Sequence, residues 1–158
     1  MFRPMLRKKQ QLSEEACIEI LKNEPRGVLS VHGENGYPYG MPLNHWYCEE
    51  DGRLYFHSGH RGHKIDAMHA DDRVSYCVYD SGFHREDDWA LTIRSVIVFG
   101  RVSIVEDTDM ALNITRALSH KFTDDEAYID EEIRSAGGRV LVFSLTPEHM
   151  TGKIVNEK

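Results

Sequence analysis

The chain has little cysteine, no long apolar run and no excess of positive charge, and each shortage closes a class of function. Its three cysteines, Cys17, Cys48 and Cys77, are odd in number, far apart and without a C-x-x-C pair. A disulfide framework and a cysteine-rich zinc site are thereby excluded. Cys17 and Cys77 fall at positions that read as buried, where cysteine serves as a small apolar filler. Arg3, Arg7, Lys8 and Lys9 make a basic start that no apolar stretch follows. No signal peptide or transmembrane helix is expected, and the chain is assigned to the cytoplasm. A formal net charge of −7 leaves no clustered cations for nucleic-acid phosphates. Neither G-x-S-x-G nor H-E-x-x-H occurs, so neither a protein nucleophile nor a catalytic zinc is expected.

What remains is an ordinary soluble composition in 158 residues, enough for one domain with a sizeable core. Ser13 is a good N-cap, Glu14 and Glu15 suit the first turn, and Ala16, Cys17, Ile20 and Leu21 form one apolar helix face. Six strands are predicted, over residues 27–32, 37–43, 53–58, 73–79, 91–105 and 140–145. Gly33-Glu34-Asn35-Gly36 reads as a hairpin turn, and Pro38 and Pro42 mark an edge strand. The longest strand is expected to bend at Gly100. Two helices follow it, near residues 107–121 and 124–135, with Thr123 and Glu126 as a capping box and Gly137-Gly138 as the stop. Pro147 is expected to end the last strand. Mostly antiparallel strands with few helices predict a mainly β, six-stranded barrel with flanking helices. The domain is bounded by a basic arm over residues 1–12 and a polar tail over 151–158.

Chemistry concentrates in one stretch, Leu54-Tyr55-Phe56-His57-Ser58-Gly59-His60-Arg61-Gly62-His63-Lys64. An alternating strand runs into a turn rich in glycine, histidine and lysine that opens a helix. Such a turn collects backbone N–H groups, the Ser58 hydroxyl and the Lys64 cation, the equipment for holding a phosphate monoester. The glycines let the main chain come close to a bulky anion. His57, His60 and His63 invite a metal reading, but Gly59 and Gly62 break any regular ligand spacing.

The order and spacing of several short pieces resemble the pyridoxamine-phosphate-oxidase-like, FMN-binding split-barrel superfamily and, within it, the nitroimidazole-resistance flavoproteins. The pieces are Gly36-Tyr37-Pro38-Tyr39 with Met41-Pro42-Leu43-Asn44, then Leu54-Tyr55-Phe56-His57-Ser58, then Gly62-His63-Lys64. Arg94-Ser95-Val96-Ile97-Val98-Phe99-Gly100 and Thr151-Gly152-Lys153 complete the set. The resemblance implies a split barrel that forms a homodimer, with one FMN in each of two clefts at the subunit interface. It places Met41, Pro42, Leu43 and Asn44 along the flavin edge, and His57 and Ser58 against the flavin and its phosphate tail. His63 and Lys64 would close on the phosphate, and Ser95 and Val96 would approach from the long strand. No catalytic side chain and no metal ligand are implied.

The implied activity is that of an FMN-dependent oxidoreductase. It would pass electrons from a reduced nicotinamide or another donor to a small aromatic or nitro-aromatic acceptor. Pyridoxamine phosphate oxidases carry a C-terminal arginine motif, whereas here no arginine follows Arg139, so that oxidation is not expected. Two other readings stay open: a flavin- or haem-binding carrier or sensor without turnover, and a reductase using deazaflavin F420. His45, Trp46 and Trp89 are candidates for the mouth of the cleft, with core or interface packing as the other reading of the tryptophans. Arg94 has two readings, a partner for the flavin or an anionic substrate, or a salt bridge.

Overall fold

A computed structural model describes residues 1–136 and 139–158. It contains helix α1 (Glu14–Asn23), strands β1 (Arg26–His32), β2 (Pro38–Asn44), β3 (Trp46–Cys48) and β4 (Arg53–Ser58), and helix α2 (His63–Ala70). Strands β5 (Arg73–Tyr79), β6 (Phe83–His84) and β7 (Leu91–Ile104), helices α3 (Thr108–Ser119) and α4 (Glu126–Ala136), and strand β8 (Leu141–Asn156) follow. The strands form one antiparallel sheet in the order β2-β1-β5-β7-β8-β4-β3, with β6 pairing β7 off that path. The sheet curls until β2 lies beside β4, yet no ladder joins them. The barrel is therefore split, and the seam between β2 and β4 is its opening.

Among the described residues the strand count is eight rather than six. Strands β3 and β6 span three and two residues, too short for alternation to show in the sequence. Pro147 does not end the last strand, and residues 151–156 are not a trailing tail. Strand β8 continues to Asn156 because its register against β7 slips at Phe99/Gly100, where Pro147 pairs Gly100 and His149 pairs Phe99. A bulge tolerates a residue without an N–H. The expected bend at Gly100 is this bulge: a Cβ there would lie 2.1 Å from the carbonyl oxygen of Thr146. The basic arm is tied down on its own chain. Leu12 donates its amide to Gly152 at 2.9 Å, and Phe2 stacks on His149 and Phe99.

Helix α1 starts as the sequence demands, with the Ser13 hydroxyl accepting the Ala16 amide at 3.2 Å. The cap of α4 differs from the expected box. Asp125 accepts the Tyr128 amide at 3.0 Å, because the helix begins at Glu126 and Thr123 lies two positions before the cap. The expected stop at Gly137-Gly138 lies outside the described residues.

Alternation along β1, β4, β5 and β7 sends Leu29, Leu54, Phe56, Val74, Tyr76, Val96 and Val98 into the barrel, where α1 covers one end. Phe56 stacks on Phe143 at 4.9 Å and meets Tyr76 edge-on at 5.0 Å. Burial of such side chains contributes about 1.5–3 kcal/mol each. A smaller cluster, Cys48, Tyr55, Ile114 and Val142, seats α3 on the outside of β4 and β8. Cys17 is buried as expected, Cys48 is buried as well, and Cys77 is half-buried on the outer face of β5. Among the described residues no helix is long and apolar enough to cross a membrane.

Candidate functional site

Two loops bring the chemistry to the seam. The first joins β1 to β2 through a turn in which Asn35 and Gly36 take φ of 59° and 77°. It delivers β2 as the edge of the sheet, with Pro42 opposite Val28 and Asn44 opposite Arg26. The second runs from β4 into α2. Its Gly62, at φ 130°, lies in a region that side-chain-bearing residues avoid, and a Cβ on Gly59 would meet nothing within 4 Å.

This second turn is exposed from Gly59 to His63. The amides of Gly59, Arg61, Gly62, His63 and Lys64 donate to no acceptor among the described residues. The Gly62 carbonyl closes the helix start by accepting from Ile65 at 2.9 Å and Asp66 at 3.1 Å. The donors therefore point outward, at the positive end of α2. Half-exposed Lys64 stands among them without an acidic partner among the described residues, and burial lowers its pKa. His63 is differently engaged: its ring stacks on Tyr39 at 4.2 Å, and Nε2 accepts the Glu34 amide at 3.4 Å. It braces the turn against the hairpin.

Beside the turn, Arg26, Pro42, Leu43, Asn44 and His57 line a cleft of about 370 Å³. The seam thus unites Pro42, Leu43, Asn44 and His57 around one opening. Burial, and then the nearby Lys64 charge, lowers the pKa of His57 and favours its neutral form. Met41 belongs to the same strand, but its side chain packs against the barrel core. Ser58 closes β4 opposite Leu141, half-buried at the start of the turn.

Ser95 and Val96 are not in this cleft. They lie on β7, separated from β2 by β1 and β5. Val96 is wholly buried in the barrel, whereas Ser95 stands on the outer face in a row with Tyr79 and Lys153. A second cleft of about 280 Å³ shares Arg26 and Pro42 with the first and reaches Tyr79, next to that row.

Arg26 escapes sequence reasoning. It precedes an apolar run and reads as a strand boundary; only its register opposite Asn44 places it in the seam. Its side chain has no ion pair or hydrogen bond among the described residues, so the cleft holds an uncompensated guanidinium.

His45 does not line the mouth. It is completely buried, with Nε2 donating to the Leu21 carbonyl at 2.6 Å and Nδ1 lying 2.8 Å from the Tyr76 hydroxyl. That hydroxyl also lies 2.8 Å from the Leu43 carbonyl, so one proton serves two acceptors. Burial, and then the charge of Lys121, lowers the His45 pKa to about 3. Trp46 is half-buried beside Tyr55, while Trp89 is 80% exposed. Arg94 forms a salt bridge: Nε reaches buried Asp80 at 2.7 Å, and the guanidinium lies 5.5 Å from the Phe83 ring centre.

The profile of the family described as pyridoxamine 5'-phosphate oxidase matches residues 13–154. The chain belongs to this family. No curated protein matches it. Among solved structures, the fold is similar to that of a candidate 5-nitroimidazole antibiotic resistance protein from Bacteroides thetaiotaomicron VPI-5482. That structure is 22% identical, with a TM-score of 0.76 over 92% of this chain and 87% of the other. An FAD-binding protein from Mesorhizobium loti is 25% identical, with a TM-score of 0.67 over 92% and 97%. An FAD and haem binding protein from Mycobacterium smegmatis is 17% identical, with a TM-score of 0.72 over 94% and 74%. These solved structures share the chain's mainly β split-barrel fold.

Proposed function

We propose that the protein is a flavin-dependent oxidoreductase that holds FMN at the seam. The observation that carries this reading is the outward turn of residues 59–64, where free amides and an unpaired lysine converge beside a cleft. These residues fit a phosphate-bearing flavin: the amides and Lys64 receive the phosphate, Gly59 leaves room for it, and Ser58 adds a hydroxyl. Pro42, Leu43, Asn44 and His57 form the wall for the ring system, and Met41 anchors that wall in the core. A bound flavin supplies the electron chemistry, while the protein supplies position and electrostatics. Family membership and the flavin named for two of the similar structures support the same reading.

The site is completed by a second copy of the chain. The outer faces of β5, β7 and β8 present rows Tyr79–Ser95–Lys153 and Cys77–Ile97–Thr151, with Tyr79 and Ile97 exposed at 60% and 40%. A sheet face that exposes Tyr79 and Ile97 among polar neighbours suits burial against its own copy, and Ser95 and the Val96 backbone then approach the partner's cleft. The acceptor is a small aromatic or nitro-aromatic molecule, the donor a reduced nicotinamide, and the setting the cytoplasm. Pyridoxamine phosphate is not the substrate proposed, since residues 151–156 lie in a β8 segment that carries no arginine.

The absorption spectrum of the purified protein after addition of FMN tests the reading. Retained flavin bands, bleached anaerobically by a reduced nicotinamide and restored by a nitroimidazole, are the expected result. A colourless protein, a haem Soret band, or flavin that no donor reduces would overturn it. Sedimentation should show a dimer that Ile97→Glu dissociates.

A further inference from the structure

Charge is divided unevenly over the two clefts at the seam. The cleft beside the turn and the one that reaches Tyr79 share Arg26 and Pro42. Among the described residues the first has no acidic residue in its lining. The second has Glu24 and Asp80, and each already faces a cation of its own. Buried Asp80 accepts Nε of Arg94 at 2.7 Å, and its other oxygen takes the amides of Gly82 and Arg94 at 3.1 Å and 2.9 Å. Glu24 lies near Lys121 and favours the charged form of that lysine. The guanidinium of Arg26 is what remains, a positive charge at the junction of both clefts with no acid among the described residues paired to it.

The backbone that carries this charge is fixed on both sides. Gly27 presses against the neighbouring strand so closely that a Cβ there would collide with the Cys77 carbonyl oxygen and lie 2.8 Å from the Tyr76 ring. The Tyr76 hydroxyl bonds the Leu43 carbonyl at 2.8 Å, and Leu43 is the ladder partner of Gly27. On the other side, the Pro25 carbonyl accepts the His45 amide at 3.4 Å. A cation mounted on a rigid strand end loses little to ordering when a ligand arrives. Beside it Pro25, Val28, Pro42 and Tyr79 supply an apolar and aromatic surface. The space there, about 280 Å³, is at the small end of ligand sites and suits a molecule of one ring.

We propose that Arg26 selects the electron acceptor by charge: the acceptor is a one-ring aromatic carboxylate, its carboxylate on the guanidinium and its ring against Pro42 and Tyr79. The proposal rests on the flavin reading above and names the substrate class of that site. A guanidinium offers parallel N–H donors that match the two oxygens of a carboxylate, and one cation balances its single negative charge. A phosphate dianion is served instead by the amides and Lys64 of residues 59–64. The seam then has two anion sites with separate tasks, the turn for the cofactor and Arg26 for the acceptor. Pro42, common to both clefts, keeps the two ligands adjacent.

Calorimetric titration of the FMN-saturated protein with benzoate and with benzamide, its neutral counterpart of similar shape, tests this without turnover. The wild type is expected to bind benzoate about tenfold or more tightly than benzamide. Arg26→Gln, at an exposed position, should bring benzoate to the benzamide level and leave benzamide unchanged. Equal wild-type affinity for the two, binding of neither, or a preference that survives Arg26→Gln would overturn the proposal while leaving the flavin reading intact. So would a variant that loses both ligands alike. A wild type that takes up no FMN overturns both.

Discussion

Two lysine–histidine pairs, Lys121 with His45 inside the fold and Lys64 with His57 at the seam, differ in what their hydrogen bonds reach. Lys121 lies near His45, and Lys64 lies near His57; in each pair the lysine charge helps push the histidine pKa down. Both lysines are themselves lowered by burial, Lys121 to about 8. Lys121, however, donates to the Glu24 carbonyl at 2.6 Å and the His45 carbonyl at 2.8 Å, and His45 is locked to Leu21 and Tyr76. That pair is internally satisfied: it closes the end of α1 and ties it to the strand carrying Leu43. Lys64 and His57 have no such partners among the described residues. His57 lines the seam cleft, and Lys64 follows it in the exposed turn at the start of α2. Residue type and pKa direction alone do not distinguish the two pairs; the destination of the hydrogen bonds does.

The largest effect that sharpens this contrast is on stability. Lys121→Met removes two charge-assisted hydrogen bonds, at an expected cost of about 3 kcal/mol, or a Tm lower by roughly 6–12 °C. Thermal unfolding measures it, and Lys64→Ala should leave Tm where it was. Equal losses in the two variants would erase the distinction.

Next comes cofactor affinity, where the roles reverse. Lys64→Ala is expected to weaken FMN binding by about 10- to 150-fold, corresponding to roughly 1.5–3 kcal/mol. Arg26→Gln, which removes the unpaired cation opposite Asn44, should weaken it by about 2- to 10-fold. Fluorescence titration gives both values. An Arg26 effect larger than that of Lys64 would move the anion site from the turn to the β1–β2 edge.

Acid stability offers a subtler separation. The unfolded chain protonates His45 near its ordinary value of 6.5, whereas the folded chain resists until about 3. The unfolded state thus binds more protons across that window, and stability is lost as pH falls from 6.5 towards 3. Denaturant midpoints of His45→Gln should depend less on pH over this interval than those of the wild type. The smallest effect is local: in Lys64→Ala the His57 imidazole should titrate at higher pH, visible in its proton resonances, because one of the two causes of its depression is gone.

The alternation of residues 73–79 and 91–104 makes the central strands legible in the sequence, and the composition of the glycine-bearing turn suggests an anion site. Other features depend on closure of the barrel. Arg26 enters the site only because β1 and β2 pair in one register, and His45 leaves it because the chain turns inward after β2. Pro147 reads as a stop until the slip at Phe99/Gly100 removes the need for its N–H. Strands of two or three residues have no period to detect. Local signals mark residues 59–64 as a candidate anion turn, while the seam beside it is a product of tertiary pairing.

The most direct test of the outward-facing turn compares FMN with riboflavin, which differ only in the phosphate. The wild type is expected to bind FMN about 10- to 150-fold more tightly, and Lys64→Ala should abolish most of that advantage. Equal affinity of the wild type for the two flavins would contradict the assignment of residues 59–64 as the phosphate site.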